Sequence, residues 1–142
     1  MNWHELYQEF ILEHNRSPRN FGKIENTHFS EGYNPLCGDH YTVYLRIKDD
    51  KIEEISFEGK GCAISKASAS MMTEILEGKT VEESLELFSK FYKLVEGEKV
   101  ENIGSLEILK GVSKYPSRVK CATLAWHAMK SAINNKEVAT TE

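Results

Sequence analysis

The stretch from Tyr41 to Phe57 constrains the fold more than any other part of the chain. Tyr41-Thr42-Val43-Tyr44-Leu45-Arg46-Ile47 is rich in β-branched and aromatic residues, which suit a pleated strand. Ile52, Ile55 and Phe57 mark a second strand ending near Glu58-Gly59, and Asp49-Asp50-Lys51 leaves room only for a tight connection. The pair is a predicted β-hairpin. A weaker extended stretch, about His28 to Tyr33, precedes it and runs into the turn signal Asn34-Pro35. If that stretch is also a strand, three sequential antiparallel neighbours form a meander. The turn carrying Cys37-Gly38-Asp39 and the exit of the last strand at Gly61-Cys62 then share one end of the sheet.

Helical periodicity surrounds this hairpin. Trp3, Leu6, Tyr7, Phe10 and Ile11 predict an amphipathic helix from about Asn2 to His14, broken by Ser17-Pro18-Arg19-Asn20 and Gly22. Ile64, Ala67, Met71 and Ile75 form a stripe between Ala63 and Glu77, with Gly78 placed to end it. Thr80-Val81-Glu82-Glu83 has the spacing of a capping box, opening a helix through Val81, Leu85, Phe88, Tyr92 and Val95. Ser105 to Lys110 reads as a short helix stopped by Gly111. Pro116-Ser117 starts a last helix carrying Cys121, Leu124, Ala125, Ala128 and Ile133. The polar segment 135–142 is expected to be a loose tail. The expectation is one α+β domain over 1–142, a small three-stranded antiparallel sheet with helices packed on one face.

Composition excludes several functions. The chain carries 22 acidic against 18 basic residues, a net charge of -4 that argues against nucleic acid or an anionic membrane as partner. No apolar run approaches the roughly 20 residues that span a bilayer. Met1-Asn2-Trp3-His4-Glu5 lacks the charge and hydropathy pattern of a secretory leader, so a cytoplasmic location is expected. Three cysteines would leave one over from any disulfide framework, and none lies in a C-x-x-C pair, so reduced thiols are expected.

Those thiols have chemical context. Cys62 opens a helix and Cys121 lies in the first turn or so of another, where the helix dipole favours thiolate, the form that binds metal or attacks sulfur. Lys60, Arg118 and Lys120 add positive charge nearby. Gly38 can adopt positive φ and turn Cys37 and Asp39 toward one centre. Three sulfurs and one oxygen suit zinc, or a cluster held less tightly than by four thiolates. With Zn²⁺ such a site keeps a formal charge of about -2, which the three basic residues offset. The residues alone leave two readings open: a shared metal site, or three small buried hydrophobes.

Longer motifs narrow the choice. Asn34-Pro35-Leu36-Cys37-Gly38-Asp39, Gly59-Lys60-Gly61-Cys62-Ala63-Ile64-Ser65, Ala67-Ser68-Ala69-Ser70-Met71-Met72-Thr73 and Pro116-Ser117-Arg118-Val119-Lys120-Cys121-Ala122-Thr123-Leu124-Ala125-Trp126 resemble the iron–sulfur scaffold family of IscU, the NifU N-terminal domain and SufU. Ser17-Pro18-Arg19-Asn20-Phe21-Gly22 is similar as well, so the resemblance runs from about Leu6 to Ile133. It implies a SufE/IscU-like fold. IscU-type members carry His before the last Cys and a Pro-Pro-Val-Lys chaperone motif. Here the stretch reads Tyr115-Pro116-Ser117-Arg118-Val119-Lys120, and with the long insert between Gly78 and Pro116 it looks like the SufU branch.

For that branch the resemblance implies zinc held by Cys37, Asp39, Cys62 and Cys121, with Cys37 accepting persulfide sulfur from a SufS-type cysteine desulfurase. The sulfur would pass on to downstream assembly or apo-proteins, so the chain is a sulfur acceptor or scaffold rather than an independent turnover enzyme. The IscU-like alternative is a scaffold whose same residues hold iron or a nascent [2Fe–2S] cluster. A cysteine hydrolase or transferase is disfavoured because no His lies near Cys62 or Cys121 in sequence, and a purely structural metal because Asp is an unusual ligand for one. His40 reads as a solvent-facing strand-start residue and His14 as a structural cation at a helix C-terminus. His4, His28 and His127 have no evident chemical context. Met71, Met72, Trp126 and Tyr44 read as packing residues, and Arg118 as the electrostatic partner of the site.

Overall fold

The computed structural model describes residues 3–25, 27–35, 38–134 and 138–140. The elements run α1 (Trp3–Arg16), β1 (His28–Asn34), β2 (Asp39–Lys48), β3 (Lys51–Lys60), α2 (Ala63–Leu76), α3 (Val81–Val95), a 3-10 run (Gly104–Lys114), α4 (Pro116–Ile133) and β4 (Val138–Thr140). β1, β2 and β3 form the expected antiparallel meander, and Lys48 pairs with Lys51 across a two-residue turn. Asp49 and Asp50 there have φ of 51° and 64°, the left-handed pair that this hairpin turn requires. Asn34 pairs with Asp39 and His40 with Lys60, so the turn after β1 and the exit of β3 do share one end of the sheet.

Two features depart from simple alternation. Arg46 pairs with Glu54 but Ile47 with Ile52, which leaves Glu53 as an extra residue in β3. That bulge lets both Ile52 and Ile55 reach the core despite their odd spacing. The segment expected to be a loose tail contributes β4, which pairs in parallel with β1 and completes a four-stranded order β3-β2-β1-β4. Val138-Ala139-Thr140 contains two β-branched residues, and the free edge of β1 offers unpaired backbone groups to them. The opposite edge is closed by loops. Gly22 donates to Phe57 and Phe57 to Asn20, while Ile52 donates to Lys79 and accepts from Gly78.

Helices cover one sheet face. α4 lies centrally, against β1 and β2 on one side and against α2, α3 and the 3-10 run on the other. Gly32 of β1 permits this approach, since a Cβ there would sit 3.2 Å from Ala128 and Leu124 atoms. Trp126 is fully buried and stacks on Phe91 with ring centroids 4.7 Å apart, and Met71, Met72 and Tyr44 are buried too. The predicted stop at Gly111 is corrected: the 3-10 run continues through it to Lys114. Gly111 instead faces the Tyr7 ring, 3.8 Å from where a Cβ would lie.

α2 is stitched to its neighbours by small hydroxyls. Ser68 donates to the Ala122 carbonyl and accepts from the Trp126 indole, while Ser70 accepts from the Arg19 backbone and meets His14 Nδ1 at 2.7 Å. His14 is therefore structural as expected, but not as a cation. Burial, then Arg19, lowers its pKa below the ordinary 6.5. A histidine kept neutral by the fold binds its proton more readily when unfolded, so stability falls as pH drops below about 6.5. His14→Gln is expected to flatten that part of the decline. Urea midpoints of both proteins at about pH 7.5 and about pH 5.5 check this, and equal pH dependence would refute it.

Candidate metal centre

Asp39 begins β2, Cys62 is the N-cap of α2, and Cys121 lies on α4. One carboxylate oxygen and the two sulfurs all lie within 4.8 Å of one another. The meander end delivers Asp39 and Cys62, and the central helix delivers Cys121 from the far side. Cys62 has extended φ and ψ, -70° and 166°, so its Sγ can turn back and accept the Ser65 backbone N–H at 3.4 Å. The Cys62 backbone N–H donates to Asp39 Oδ1 at 2.8 Å, and Asp39 Oδ2 lies 3.9 Å from Cys62 Sγ. One carboxylate oxygen is thus held by backbone while the other faces the sulfur.

Hydrogen bonding from Cys121 pushes the Cys62 thiol down to about 5; burial opposes this, Ser65 assists, and the Asp39 charge opposes again. Hydrogen bonding around Cys62 thus favours its thiolate form. Burial also holds the Tyr41 phenol well above its usual value, with Ser65 opposing and Asp39, Cys62 and Cys121 adding to the rise. The Tyr7 phenol is raised by burial, lowered by Arg118 and raised by Cys62, which places α1 beside the centre.

The donor set fits a metal. Tetrahedral zinc with bonds of about 2.3 Å to sulfur and about 2.1 Å to oxygen separates neighbouring donors by roughly 3.5–3.8 Å. The 3.9 Å between Asp39 and Cys62 is close to that, and the 4.8 Å limit leaves a contraction of about 1 Å. A carboxylate with thiolates suits zinc or iron better than calcium or magnesium.

The other predicted residues divide. Cys37 lies outside the described residues. Gly38 has the positive φ anticipated for it, 76°. Arg118 is exposed and shares the Tyr7 surroundings with Cys62, while Lys60 is exposed at the end of β3 that pairs with His40. Lys120 is half-buried. Cys121 is corrected in depth: it is the sixth residue of α4, beyond the first turn, and only 3% exposed. The helix dipole argument therefore applies to Cys62 and hardly to Cys121. His40 is exposed, 3.3 Å from Glu31 and edge-on to Tyr33. His28 is exposed, and His127 is half-buried against Phe88 and Tyr92.

Sequence reasoning missed Tyr41, Gly61 and Ser65, which crowd around Asp39 and Cys62. Cys62-x-x-Ser65 has the spacing of an N-cap residue with its third helical position, a signal that could have found Ser65.

Asp39, Cys62 and Cys121 thus converge at one end of the sheet of an α+β domain, an arrangement that could hold a metal ion. Residues 6–122 match the NifU-like N-terminal domain family. The chain is 38% identical to the zinc-dependent sulfurtransferase SufU of Bacillus subtilis, over 96% of this chain and 95% of that one. It is 41% identical to the iron–sulfur cluster assembly scaffold protein IscU of Streptococcus pyogenes, over 90% of this chain and 82% of the relative. Among solved structures, a candidate assembly scaffold protein for the SUF system from Fervidobacterium islandicum superposes with a TM-score of 0.83 at 41% identity, over 89% of this chain and 96% of that one. The chain belongs to the family of NifU-like N-terminal domains. Among the described residues, no helix is long and apolar enough to cross a membrane.

Proposed function

We propose that this chain acts in iron–sulfur cluster assembly as a SufU-like sulfur acceptor, taking persulfide sulfur from a SufS-type cysteine desulfurase. The centre would comprise Cys37, Asp39, Cys62 and Cys121. One observation carries the reading: the ligand atoms of Asp39, Cys62 and Cys121 converge within 4.8 Å from three separate elements. Cys37 is two residues from Asp39, a chain reach of about 7 Å, so its thiol can join them. The similarity to a zinc-dependent sulfurtransferase supports zinc as the ion. When bound, zinc keeps thiolates masked as ligands until one is exchanged.

Sulfur transfer needs only thiol chemistry. The Cys37 thiolate attacks the outer sulfur of the desulfurase persulfide, and the old S–S bond breaks as the new one forms. The desulfurase cysteine leaves as thiolate, and the proton stays on the transferred sulfur. Arg118, exposed and close enough to act on the Tyr7 phenol as Cys62 does, would suit an anionic persulfide, with Lys60 and Lys120 as further positive charges. The work belongs in the cytoplasm, in one domain spanning 1–142, with sulfur passing to downstream assembly or apo-proteins.

The similarity to an IscU scaffold supports a second reading, in which the same residues hold a [2Fe–2S] cluster as cargo. Metal analysis of anaerobically purified protein separates them. One zinc per chain, with desulfurase stimulation lost in Cys37→Ser, is the expected result. A visible chromophore that transfers iron and sulfur to an apo-protein would favour the scaffold, and full function of Cys37→Ser would sink both.

A further inference from the structure

We infer that Tyr41 and Ser65 are positioning residues of the metal centre, acting on Cys62 through one hydrogen-bonded chain. The inference rests on the metal-centre reading above. Strand alternation puts Tyr41 on the same face as Asp39, and its side chain is fully buried. The Tyr41 hydroxyl lies 2.9 Å from Ser65 Oγ, and Ser65 is 1% exposed.

Proton bookkeeping gives the chain a direction. Ser65 has one hydroxyl proton and donates it to the Cys62 carbonyl at 2.9 Å. The Tyr41 hydroxyl must therefore be the donor to Ser65. Ser65 also gives its backbone N–H to Cys62 Sγ at 3.4 Å, and its Oγ lies 3.6 Å from that sulfur. One residue thus grips Cys62 at both its carbonyl and its sulfur. A serine hydroxyl alone could rotate away; the bond from the buried sheet residue fixes it.

Gly61 shows how tightly this is set. A Cβ there would lie 2.5 Å from Asp39 Oδ1, 2.6 Å from Ser65 Oγ and 2.7 Å from the Tyr41 hydroxyl. Three polar atoms from β2 and α2 crowd over one glycine, and one of them belongs to a proposed ligand. The bland alternative is a buried Tyr–Ser pair that satisfies only itself. That alternative predicts changed stability and an unchanged metal site, whereas outer partners of metal ligands change affinity by about 10–100-fold.

Tyr41→Phe keeps the ring and removes one hydroxyl. It is expected to weaken zinc binding by about tenfold in chelator competition and to shift the visible ligand-field bands of the cobalt(II)-loaded protein. The thermal midpoint and circular dichroism of the metal-free protein report whether the fold is intact. Ser65→Ala is expected to act in the same direction. Adding Tyr41→Phe to Ser65→Ala should then change nothing further, because the chain is already cut. Zinc affinity within about twofold of wild type with an unaltered cobalt spectrum overturns the inference, as does full additivity of the two substitutions. If wild-type protein takes up neither zinc nor cobalt, the metal-centre reading fails and the inference with it. Wild-type uptake matched by Tyr41→Phe overturns the inference alone.

Discussion

Asp39→Ala is expected to abolish stoichiometric metal binding, lowering affinity by more than about a hundredfold, beyond what an outer partner costs. The side chain has two jobs in the geometry, and alanine removes both. Oδ2 faces Cys62 Sγ, where it could serve as a metal ligand, while Oδ1 accepts the Cys62 backbone N–H and so orients the N-cap residue itself. Asp39→Asn separates the jobs, because its amide oxygen can keep the backbone bond while the charged donor is lost. Metal-to-protein ratios and chelator competition check both variants. Alanine losing everything and asparagine retaining weak binding is the expected order; a fully zinc-loaded Asp39→Ala protein would remove aspartate from the centre.

Gly61→Ala should damage the same centre without touching a ligand. The new methyl would lie under 3 Å from three polar atoms, all on side chains that could ordinarily swing aside. Here they cannot, because Asp39, Ser65 and Tyr41 are each at most 1% exposed and are tied to one another or to Cys62. Overpacking of this kind costs about 1–3 kcal/mol. The strain falls on the metal geometry, so loss of at least about tenfold in zinc affinity is expected alongside a lower urea midpoint. A variant that loses stability but binds zinc like wild type would show that the site relaxes around the methyl.

What could be read from the chain was set by local rules. The hairpin, the capping box at Thr80 and the helix that opens at Cys62 each depend on a few adjacent residues, and each appears where expected. The bulge at Glu53 depends on counting across two strands, which a single run of residues does not reveal. α4 hid its importance for another reason. Cys121 through Trp126, with Ala128, Met129 and Ala132, are buried around most of its circumference, so no single narrow stripe marks the face toward the sheet. Cys121 therefore looked like a residue near a helix start, when it sits deeper in the layer between sheet and helices. Tyr41 was indistinguishable from any strand aromatic, since its role depends on Ser65, across a hairpin and the start of a helix.

The central position of α4 carries one more consequence. A strand end, a helix start and the middle helix each bring a piece of the centre, and these belong to different layers of the domain. An ion seated there would clasp the layers together, and any ligand that favours the folded form adds its binding free energy to folding, about 2.7 kcal/mol at a hundredfold excess over its dissociation constant. Release of such an ion would then be linked to loosening of the tertiary structure, and a partner that drew it out would meet a softer protein.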